Sequence, residues 1–432
     1  MNKGYEGYIE LKSKYDFPEQ FKASLVDHSI IMMGESTHGT KEFYKARIEL
    51  TKFLIENGKL TAITIEGDWP SAFRVNQYVK GELYNLDANE ALSEFDRFPL
   101  WMWRNREILH FVEWLKSFNS TKRDQDKVGF YGLDLYSLHK SVDAVIHYLD
   151  KVDPAEAELA RARYACFDKF GFDMQKYGYF VTNNLTEDCR GELIDQLISL
   201  KNKADRELKI KGSVDEDLFS AVQNAKLIED AESYYRSIFF GSSNISWNVR
   251  DTHMSETLKA LYLHQKTQNK KPKIVVWAHN SHIGDASATQ FGKEGQINIG
   301  QLAREEFGKK NVFLLGLSTY GGAVSAASQW NQPVERKIIR PALENSYENL
   351  FHHMKFKNFI LYPKSLEERF LERAIGVIYS PSTERFSHYF YADLKDQFDA
   401  LIYYDQTEAL EPLEKTALWE EGELPETYPT GL

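Results

Sequence analysis

Short apolar segments that alternate with helical patterns constrain the fold of this chain most strongly. Ser29–Gly34 (S-I-I-M-M-G) has the length and composition of a strand buried on both faces of a parallel sheet. A helix is predicted over Lys41–Asn57, where apolar residues recur every three or four positions, and Gly58 is expected to end it with a positive φ. A second apolar segment, Leu60–Glu66, precedes a helix that opens at Pro70. This alternation predicts an α/β fold with a mostly parallel sheet.

Further apolar segments extend the pattern along the chain. They are Val128–Asp134, Lys273–Ala278, Val312–Ser318, Phe359–Tyr362, Gly376–Tyr379 and Phe398–Tyr404. With the first two, these candidate strands would also suit a closed barrel. Their uneven spacing, and a long helical interruption after the third strand, favour an open, layered sheet over the barrel.

The same pattern divides the chain into three parts. Residues 1–153 and 249–320 are expected to form an α/β catalytic core. Residues 154–248 are polar and rich in helical signals, which predicts a helical insertion that lies beside the sheet like a lid. Residues 321–432 mix short strands with helices and are expected to form a smaller C-terminal α/β subdomain that completes the fold.

Composition excludes several partners. The 432 residues include 64 acidic and 53 basic side chains, and a net charge of −11 argues against nucleic acid, whose phosphates need clustered Lys and Arg. No apolar run approaches the roughly 20 residues that a membrane span needs. The first residues lack the apolar core of a signal peptide, so a soluble cytoplasmic protein is expected. Two cysteines, Cys166 and Cys189, allow one disulfide.

Acidic and imidazole side chains follow four of the predicted strands. They are Glu35 and His38, then Glu66, then Asp134, and finally His279 and His282. Because ligands bind beyond the carboxyl ends of the strands in an open α/β sheet, we expect these groups to converge on one site.

A histidine beside a carboxylate can accept a proton from water. His38 with Glu35 or Glu66 fits this role, and His279 is an alternative base. Gly34 and Gly39 would allow a tight backbone turn around His38, where a Cβ would clash. Arg47, on the helix that follows, is expected to pair with Glu35 or Glu66, while His282 acts as a second catalytic group or orients its neighbours.

Other chemistries fit the sequence less well. Two or three histidines with a glutamate could bind zinc, but the spacing is not that of H-E-x-x-H, so we favour a site without metal or other cofactor. Ser36 lies in no G-x-S-x-G elbow, neither cysteine follows a predicted strand, and no nucleotide-binding motif is present. A hydrolase that activates water is therefore preferred. The alternatives are a metal-dependent hydrolase with the same residues and a non-catalytic protein that binds a bulky ligand in an aromatic cleft.

Taken together, the motifs resemble the erythromycin esterase family, which includes proteins named for succinoglycan biosynthesis. The matching segments run in order along the chain: G-E-S-T-H-G-T at Gly34–Thr40, I-E-G-D-W-P at Ile65–Pro70, W-M-W-R-N-R-E at Trp101–Glu107, G-L-D at Gly132–Asp134, W-N-V-R-D-T-H-M at Trp247–Met254, W-A-H-N-S-H at Trp277–His282, G-V-I-Y from Gly376 and S-H-Y-F from Ser387.

This resemblance implies a three-layer α/β/α core with a helical domain and a smaller α/β domain. It also implies hydrolysis of a carboxylic ester or macrolactone by water, without a covalent enzyme intermediate and without a metal. The positions that match the functional residues of the family are Glu35, His38, Arg47, Glu66, His279 and His282, and Arg250 lies in the matching arginine motif.

Overall fold

The computed structural model describes residues 7–239, 243–268 and 270–422. The strands in these ranges are β1 (Tyr8–Glu10), β2 (Ile30–Met33), β3 (Ala62–Asp68), β4 (Gly129–Asp134), β5 (Ile274–Trp277), β6 (Val312–Ala326), β7 (Glu335–Ile339), β8 (Asn358–Leu361), β9 (Phe370–Arg373), β10 (Tyr389–Ala392) and β11 (Ala400–Thr407).

The α-helices of the same ranges lie between these strands. They are α1 (Glu19–Val26), α2 (Lys41–Asn57), α3 (Trp69–Lys80), α4 (Ala88–Ala91), α5 (Arg106–Ser120), α6 (Leu138–Val152), α7 (Pro154–Tyr164), α8 (Met174–Thr182), α9 (Arg190–Lys211), α10 (Glu216–Ser237), α11 (Ser243–Thr267), α12 (Asn280–Ile283), α13 (Gln290–Lys293), α14 (Ile299–Phe307), α15 (Tyr347–His352), α16 (Glu384–Ser387), α17 (Leu394–Gln397) and α18 (Ala417–Glu421).

The central sheet is open and mostly parallel, as the sequence predicts. Its strand order is β1-β8-β11-β6-β2-β5-β3-β4, and β7 pairs with the distal half of β6. All pairings from β11 to β4 are parallel, whereas β1, β7 and β8 pair antiparallel. Strands β9 and β10 form a separate antiparallel pair.

Helices cover both faces of this sheet. In β2, Ile30 and Met32 belong to an apolar cluster shared with α6, α10 and α11, while Ile31 and Met33 belong to a cluster shared with α2 and α5. Successive side chains of a strand point to opposite faces, so a strand that is apolar at every position requires a helical layer on each side. The fold is therefore the three-layer α/β/α arrangement that the family resemblance implies.

The boundaries of the three predicted parts stay a prediction, and three features of the fold bear on them. Helix α11 crosses the proposed boundary at 248 without a break. The C-terminal part contributes β8 and β11 to the central sheet. The helices of 154–248 share one apolar cluster with a face of that sheet. Residues 1–6, 240–242, 269 and 423–432 of the predicted parts lie outside the described residues.

Two local predictions are wrong. Gly58 has a φ of −100° and is the last residue of right-handed backbone after α2, because the chain turns one residue later at Lys59, where φ is 56°. Gly376–Tyr379 forms no strand, since its only ladder contact is a single bridge from Ile378 to Ala327. Strand β9 forms a few residues earlier instead, where β10 supplies a partner along its whole length.

Cys166 and Cys189 form a disulfide that ties the segment after α7 to the start of α9. Disulfides are typical of oxidising compartments, whereas the composition predicts the cytoplasm, so the cellular location stays a prediction. Among the described residues, no helix combines the length and the apolar character that crossing a bilayer requires.

Candidate active site

Adjacent parallel strands bring the predicted site residues together. Strands β2, β5 and β3 are neighbours, and their carboxyl ends carry the segments with Glu35 and His38, with His279 and His282, and with Glu66. Each of these side chains is at least nine-tenths buried. The structure therefore places all the acids and histidines selected from the sequence at one edge of the sheet.

A chain of buried contacts fixes the His38 ring. Arg47 on α2 donates from Nη2 to Glu35 Oε2 at 2.8 Å, and Glu35 Oε1 lies 3.0 Å from His38 Nδ1. The Arg47 guanidinium is fully buried, 4.4 Å from the Tyr44 ring centroid. Because a carboxylate can only accept here, Nδ1 of His38 carries the proton and Nε2 presents a lone pair.

Glu66 connects the two histidine segments. Its Oε1 accepts from Arg250 Nη2 at 2.7 Å, and its Oε2 accepts from the backbone N–H of His279 at 2.9 Å. His282 Nε2 and His38 Nε2 lie 3.4 and 4.0 Å from Oε1. Burial alone would raise the pKa of Glu66, but the positive charges that His282 and His38 carry when protonated, together with the charge of Arg250, outweigh it and hold the pKa well below its usual range. Glu66 is therefore ionised at neutral pH.

Arg250, on α11, makes polar contacts through each nitrogen atom of its guanidinium group. Nε and Nη2 donate to the two carboxylate oxygens of Asp134 at 2.9 and 2.7 Å, and Nη1 lies 3.0 Å from His282 Nε2. Its guanidinium also lies over the Tyr136 ring, 5.0 Å from the centroid. Arg250 thus holds Glu66 and Asp134 in place and also contacts His282.

His282 is held from three sides. Nδ1 donates to Asp251, with oxygen atoms at 2.9 and 3.0 Å, and the Trp247 ring stacks on the imidazole at 4.4 Å. Burial alone would lower the pKa of His282, but Asp251 and Glu66 outweigh it and raise the pKa. When the His282 ring is neutral, its Nε2 accepts a hydrogen bond from Arg250 Nη1. This arrangement makes His282 a residue that positions Arg250.

His279 has the opposite tautomer from His38. Its Nδ1 accepts from the backbone N–H of Ser281 at 3.2 Å, and the Ser281 hydroxyl lies 2.8 Å from the same atom. A backbone amide only donates, so the ring proton resides on Nε2, which has no hydrogen-bond partner among the described residues. Burial and the nearby His38 lower the pKa of His279 well below its usual value, so the ring stays neutral.

A cavity of about 430 Å³ opens onto these groups. Aromatic side chains form much of its wall: Phe95, Phe98, Trp103, Tyr136, Trp247, Phe291, Trp330, Phe386, Tyr389 and Phe390. A second ion pair lies at the wall, where Arg97 Nη2 approaches Asp68 Oδ2 at 2.9 Å. The cavity therefore combines a large apolar surface with a cluster of polar and charged groups, as expected of a site that binds and orients an organic ligand.

Both glycines that frame the His38 turn allow close backbone contact. A Cβ on Gly34 would lie 2.0 Å from Asn280 Oδ1, and one on Gly39 would lie 1.9 Å from the Ser325 carbonyl. Neither glycine has a positive φ. The sequence-based expectation of a clash is confirmed, and its cause is the approach of neighbouring segments.

Sequence reasoning missed several residues that support the site. The sequence indicates Asp134 as an acid at a strand end, in the G-L-D motif, but does not predict that it pairs with Arg250. Asp251, Asn280 and Ser281 carry a weaker signal, since they lie beside Arg250 and His279 in two of the quoted motifs. Their contacts could not be predicted, because the partners come from distant segments.

Comparisons with known proteins identify the family of this chain. A family model described as Erythromycin esterase matches residues 55–407. The protein YbfO of Bacillus subtilis (strain 168) is 24% identical over 404 residues, covering 88% of this chain and 84% of YbfO. Erythromycin esterase type II of Escherichia coli is 20% identical over 413 residues, covering 92% of this chain and 94% of that protein.

A solved structure extends the comparison to the fold. The crystal structure of a succinoglycan biosynthesis protein superposes with a TM-score of 0.73 at 20% sequence identity, covering 94% of this chain and 96% of that one. Fold and family match together define an α/β protein of the hydrolase class. More particularly, the chain belongs to the erythromycin esterase family. The family match begins at residue 55, after Glu35, His38 and Arg47, so the case for those three rests on geometry.

Proposed function

We propose that the protein hydrolyses a carboxylic ester or macrolactone by direct attack of water, with His38 as the general base. The observation that carries this proposal is the tautomer of His38. Glu35 accepts from Nδ1, so the lone pair of Nε2 faces the cavity, 4.0 Å from the ionised Glu66. This arrangement is the one that a base acting on water requires.

His279 is less suited to that role. Its Nδ1 lone pair is occupied by Ser281, and its Nε2 carries the proton. A neutral imidazole N–H is a good donor to an oxyanion. In the proposed mechanism this N–H, which is buried at the cavity wall, turns toward the ester carbonyl oxygen and stabilises the negative charge that develops there.

One water molecule can serve both His38 and Glu66. Two acceptors that lie 4.0 Å apart can each accept one O–H of the same water. His38 removes the first proton as the oxygen attacks the ester carbon, while Glu66 holds the second O–H and sets the direction of attack. The tetrahedral intermediate then expels the alcohol, which receives the proton from His38. Products are a carboxylic acid and an alcohol, or a ring-opened hydroxy acid from a lactone.

The surroundings of Ser36 support water as the nucleophile. Ser36 is fully buried, its hydroxyl has no partner among the described residues, and it does not line the cavity. No histidine activates it. An acyl-enzyme intermediate on this serine would therefore lack both a base and access to the substrate.

Hydrolysis is tested with a panel of macrolides and of p-nitrophenyl esters, with products identified by mass spectrometry. Wild-type protein and His110→Ala, which changes an exposed histidine outside the site, are expected to add the mass of one water to a substrate. Intact-protein mass during turnover should show no acyl adduct. Stoichiometric binding without product would contradict the proposal, and so would activity that chelation abolishes and a metal ion restores.

A milder variant tests the role of Ser281. We expect Ser281→Ala to lower kcat less than about tenfold, because the backbone N–H of residue 281 still fixes the His279 tautomer after a single hydrogen bond of about 1 kcal/mol is lost. Steady-state kinetics on the best substrate of the panel measures this. A loss comparable to that of His38→Ala would instead identify the hydroxyl as part of the reacting machinery.

A further inference from the structure

A pair of buried carboxyl groups lies behind the candidate site, outside the cavity. Glu372 on β9 and Glu348 on α15 are both at most 1% exposed. Glu348 Oε1 accepts from the Ser318 hydroxyl at 2.8 Å and from the backbone N–H of Arg373 at 3.1 Å. These donors favour the ionised form of Glu348.

Glu372 has fewer donors. Its Oε1 accepts one weak bond, from Asn280 Nδ2 at 3.3 Å, whereas Oε1 of Glu348 accepts two, and the Oε2 atoms of both groups have no hydrogen-bond partner among the described residues. The buried side-chain amide of Gln397 approaches the same carboxyl group. Neither its oxygen nor its nitrogen atom makes a hydrogen bond of good geometry with a described residue. A proton on Glu372 would supply the donor that the Gln397 oxygen lacks.

No cation of the described part of the chain faces Glu372. Helix α15 presents Glu348 and Tyr347, α12 and α17 present the uncharged Asn280 and Gln397, and the side chain of Arg373 leaves β9 on the other face. Two neighbouring carboxylates in a buried site cannot both ionise without a large cost.

The guanidinium of Arg373 has other partners. It contacts Glu384 at 3.1 Å and the Tyr320 carbonyl at 2.7 Å. Its charge also lowers the pKa of Glu348, although burial, the larger effect, raises that pKa. Glu348 thus keeps a nearby positive charge, and Glu372 is the member of the pair left without one.

Asn280 connects this pair to the site. Its backbone N–H donates to the Glu35 carbonyl at 2.8 Å, and its Nδ2 donates to the Leu317 carbonyl at 3.0 Å. Its Oδ1 accepts from the Leu317 N–H at 3.3 Å. Asn280, which is fully buried and adjacent to His279, thus links the segment after β5 to the segment after β2 through its backbone and to β6 through its side chain.

We propose that Glu372 is a positioning residue that stays protonated at neutral pH and, through Asn280, holds the segment that carries His279. The catalytic part of this inference rests on the proposed function, whereas the protonation part does not. Ionisation of Glu372 places a second negative charge beside Glu348, which loosens the packing behind His279 and lowers turnover.

The pH range follows from the environment of Glu372. Burial, and then Glu348, raise the pKa of Glu372 to about 8. A carboxyl group whose pKa is higher in the folded than in the unfolded protein binds its proton more tightly when folded. The protonated group therefore contributes fully to the stability of the folded protein below the pKa that it has in the unfolded chain, near 4.5. This contribution is lost as the pH rises through the pKa of Glu372 in the folded protein.

Thermal unfolding tests the protonation. Glu372→Gln keeps the size and neutrality of the protonated side chain but cannot ionise. We expect its Tm, relative to wild type, to rise as the pH increases from about 5 to about 8.5. Glu367→Gln, which changes an exposed glutamate of the same segment, should give a constant difference. A constant difference for Glu372→Gln as well would overturn the proposal.

Turnover of a p-nitrophenyl ester tests the positioning. We expect Glu372→Gln to retain wild-type kcat within about twofold at pH 7 and to move the alkaline loss of activity upward by about one pH unit or more. Glu372→Ala should lower kcat with little change in KM. An unshifted alkaline limb, or loss of activity in Glu372→Gln at pH 7, would refute the role. If no ester is hydrolysed, the proposed function fails, while the thermal measurement still decides the protonation state.

Discussion

His38→Ala is expected to lower kcat/KM for the preferred ester by about 10²- to 10⁴-fold, the range that general acid–base catalysis contributes. The variant should fold normally, because alanine removes a half-satisfied ring and leaves the Arg47–Glu35 pair intact. Steady-state kinetics with circular dichroism as a folding check measures both. Near wild-type activity in a folded His38→Ala protein would exclude this residue as the base.

Glu35→Gln gives a sharper form of the same test. Arg47 donates to one oxygen of Glu35, so a glutamine here would turn its oxygen toward Arg47 and its NH₂ toward His38. An amide that donates to Nδ1 forces the proton onto Nε2 and removes the lone pair that water needs. Activity should therefore fall nearly as far as in His38→Ala, although no group that touches the substrate has changed.

Arg47→Met has the largest expected effect on stability. It removes the cation from a fully buried ion pair and leaves Glu35 charged in an apolar setting, which costs about 3–5 kcal/mol. Urea unfolding followed by tryptophan fluorescence measures the change. The thioether fills most of the space next to Tyr44, so the lost charge dominates over the lost volume.

A second substitution separates charge from packing. In the double variant Arg47→Met with Glu35→Gln, no charge is stranded, and most of the lost stability should return while activity stays low. If the double variant is as unstable as Arg47→Met alone, packing rather than the ion pair explains the loss. If Arg47→Met lowers the free energy of unfolding by less than about 1 kcal/mol, the Arg47–Glu35 ion pair contributes no more to stability than an ion pair exposed to solvent.

The positions of acids and histidines after apolar segments made much of this site predictable from the sequence. Apolar segments each followed by an acid or a histidine identified Glu35, His38, Glu66 and His279, because the topology of a parallel sheet brings strand ends together. The open, mostly parallel sheet followed from the same alternation, whereas the three-layer arrangement was implied by the family resemblance. Helix α2 has the predicted bounds, since its apolar spacing is encoded locally, although Gly58 ends it without the expected positive φ.

Contacts between distant segments could not be predicted in this way. The sequence left open whether Glu35 or Glu66 pairs with Arg47, and only the packing of α2 on β2 places Arg47 beside Glu35. It also left open which histidine carries the lone pair, because the tautomer of His279 depends on a backbone N–H two residues away. The strand expected at Gly376–Tyr379 failed for the same reason, since a strand needs a partner that local composition does not reveal.

The charges around Arg250 have a consequence for the end of the reaction. A single guanidinium pairs with two carboxylates there, Glu66 and Asp134, so these three groups carry one negative charge in excess at the wall of the cavity. In the proposed reaction a neutral ester is not repelled by this charge, but its hydrolysis creates a new carboxylate within reach of it. Like charges at short range in a half-enclosed cavity repel strongly. The arrangement that prepares water for attack would therefore also expel the acid product and disfavour the reverse reaction.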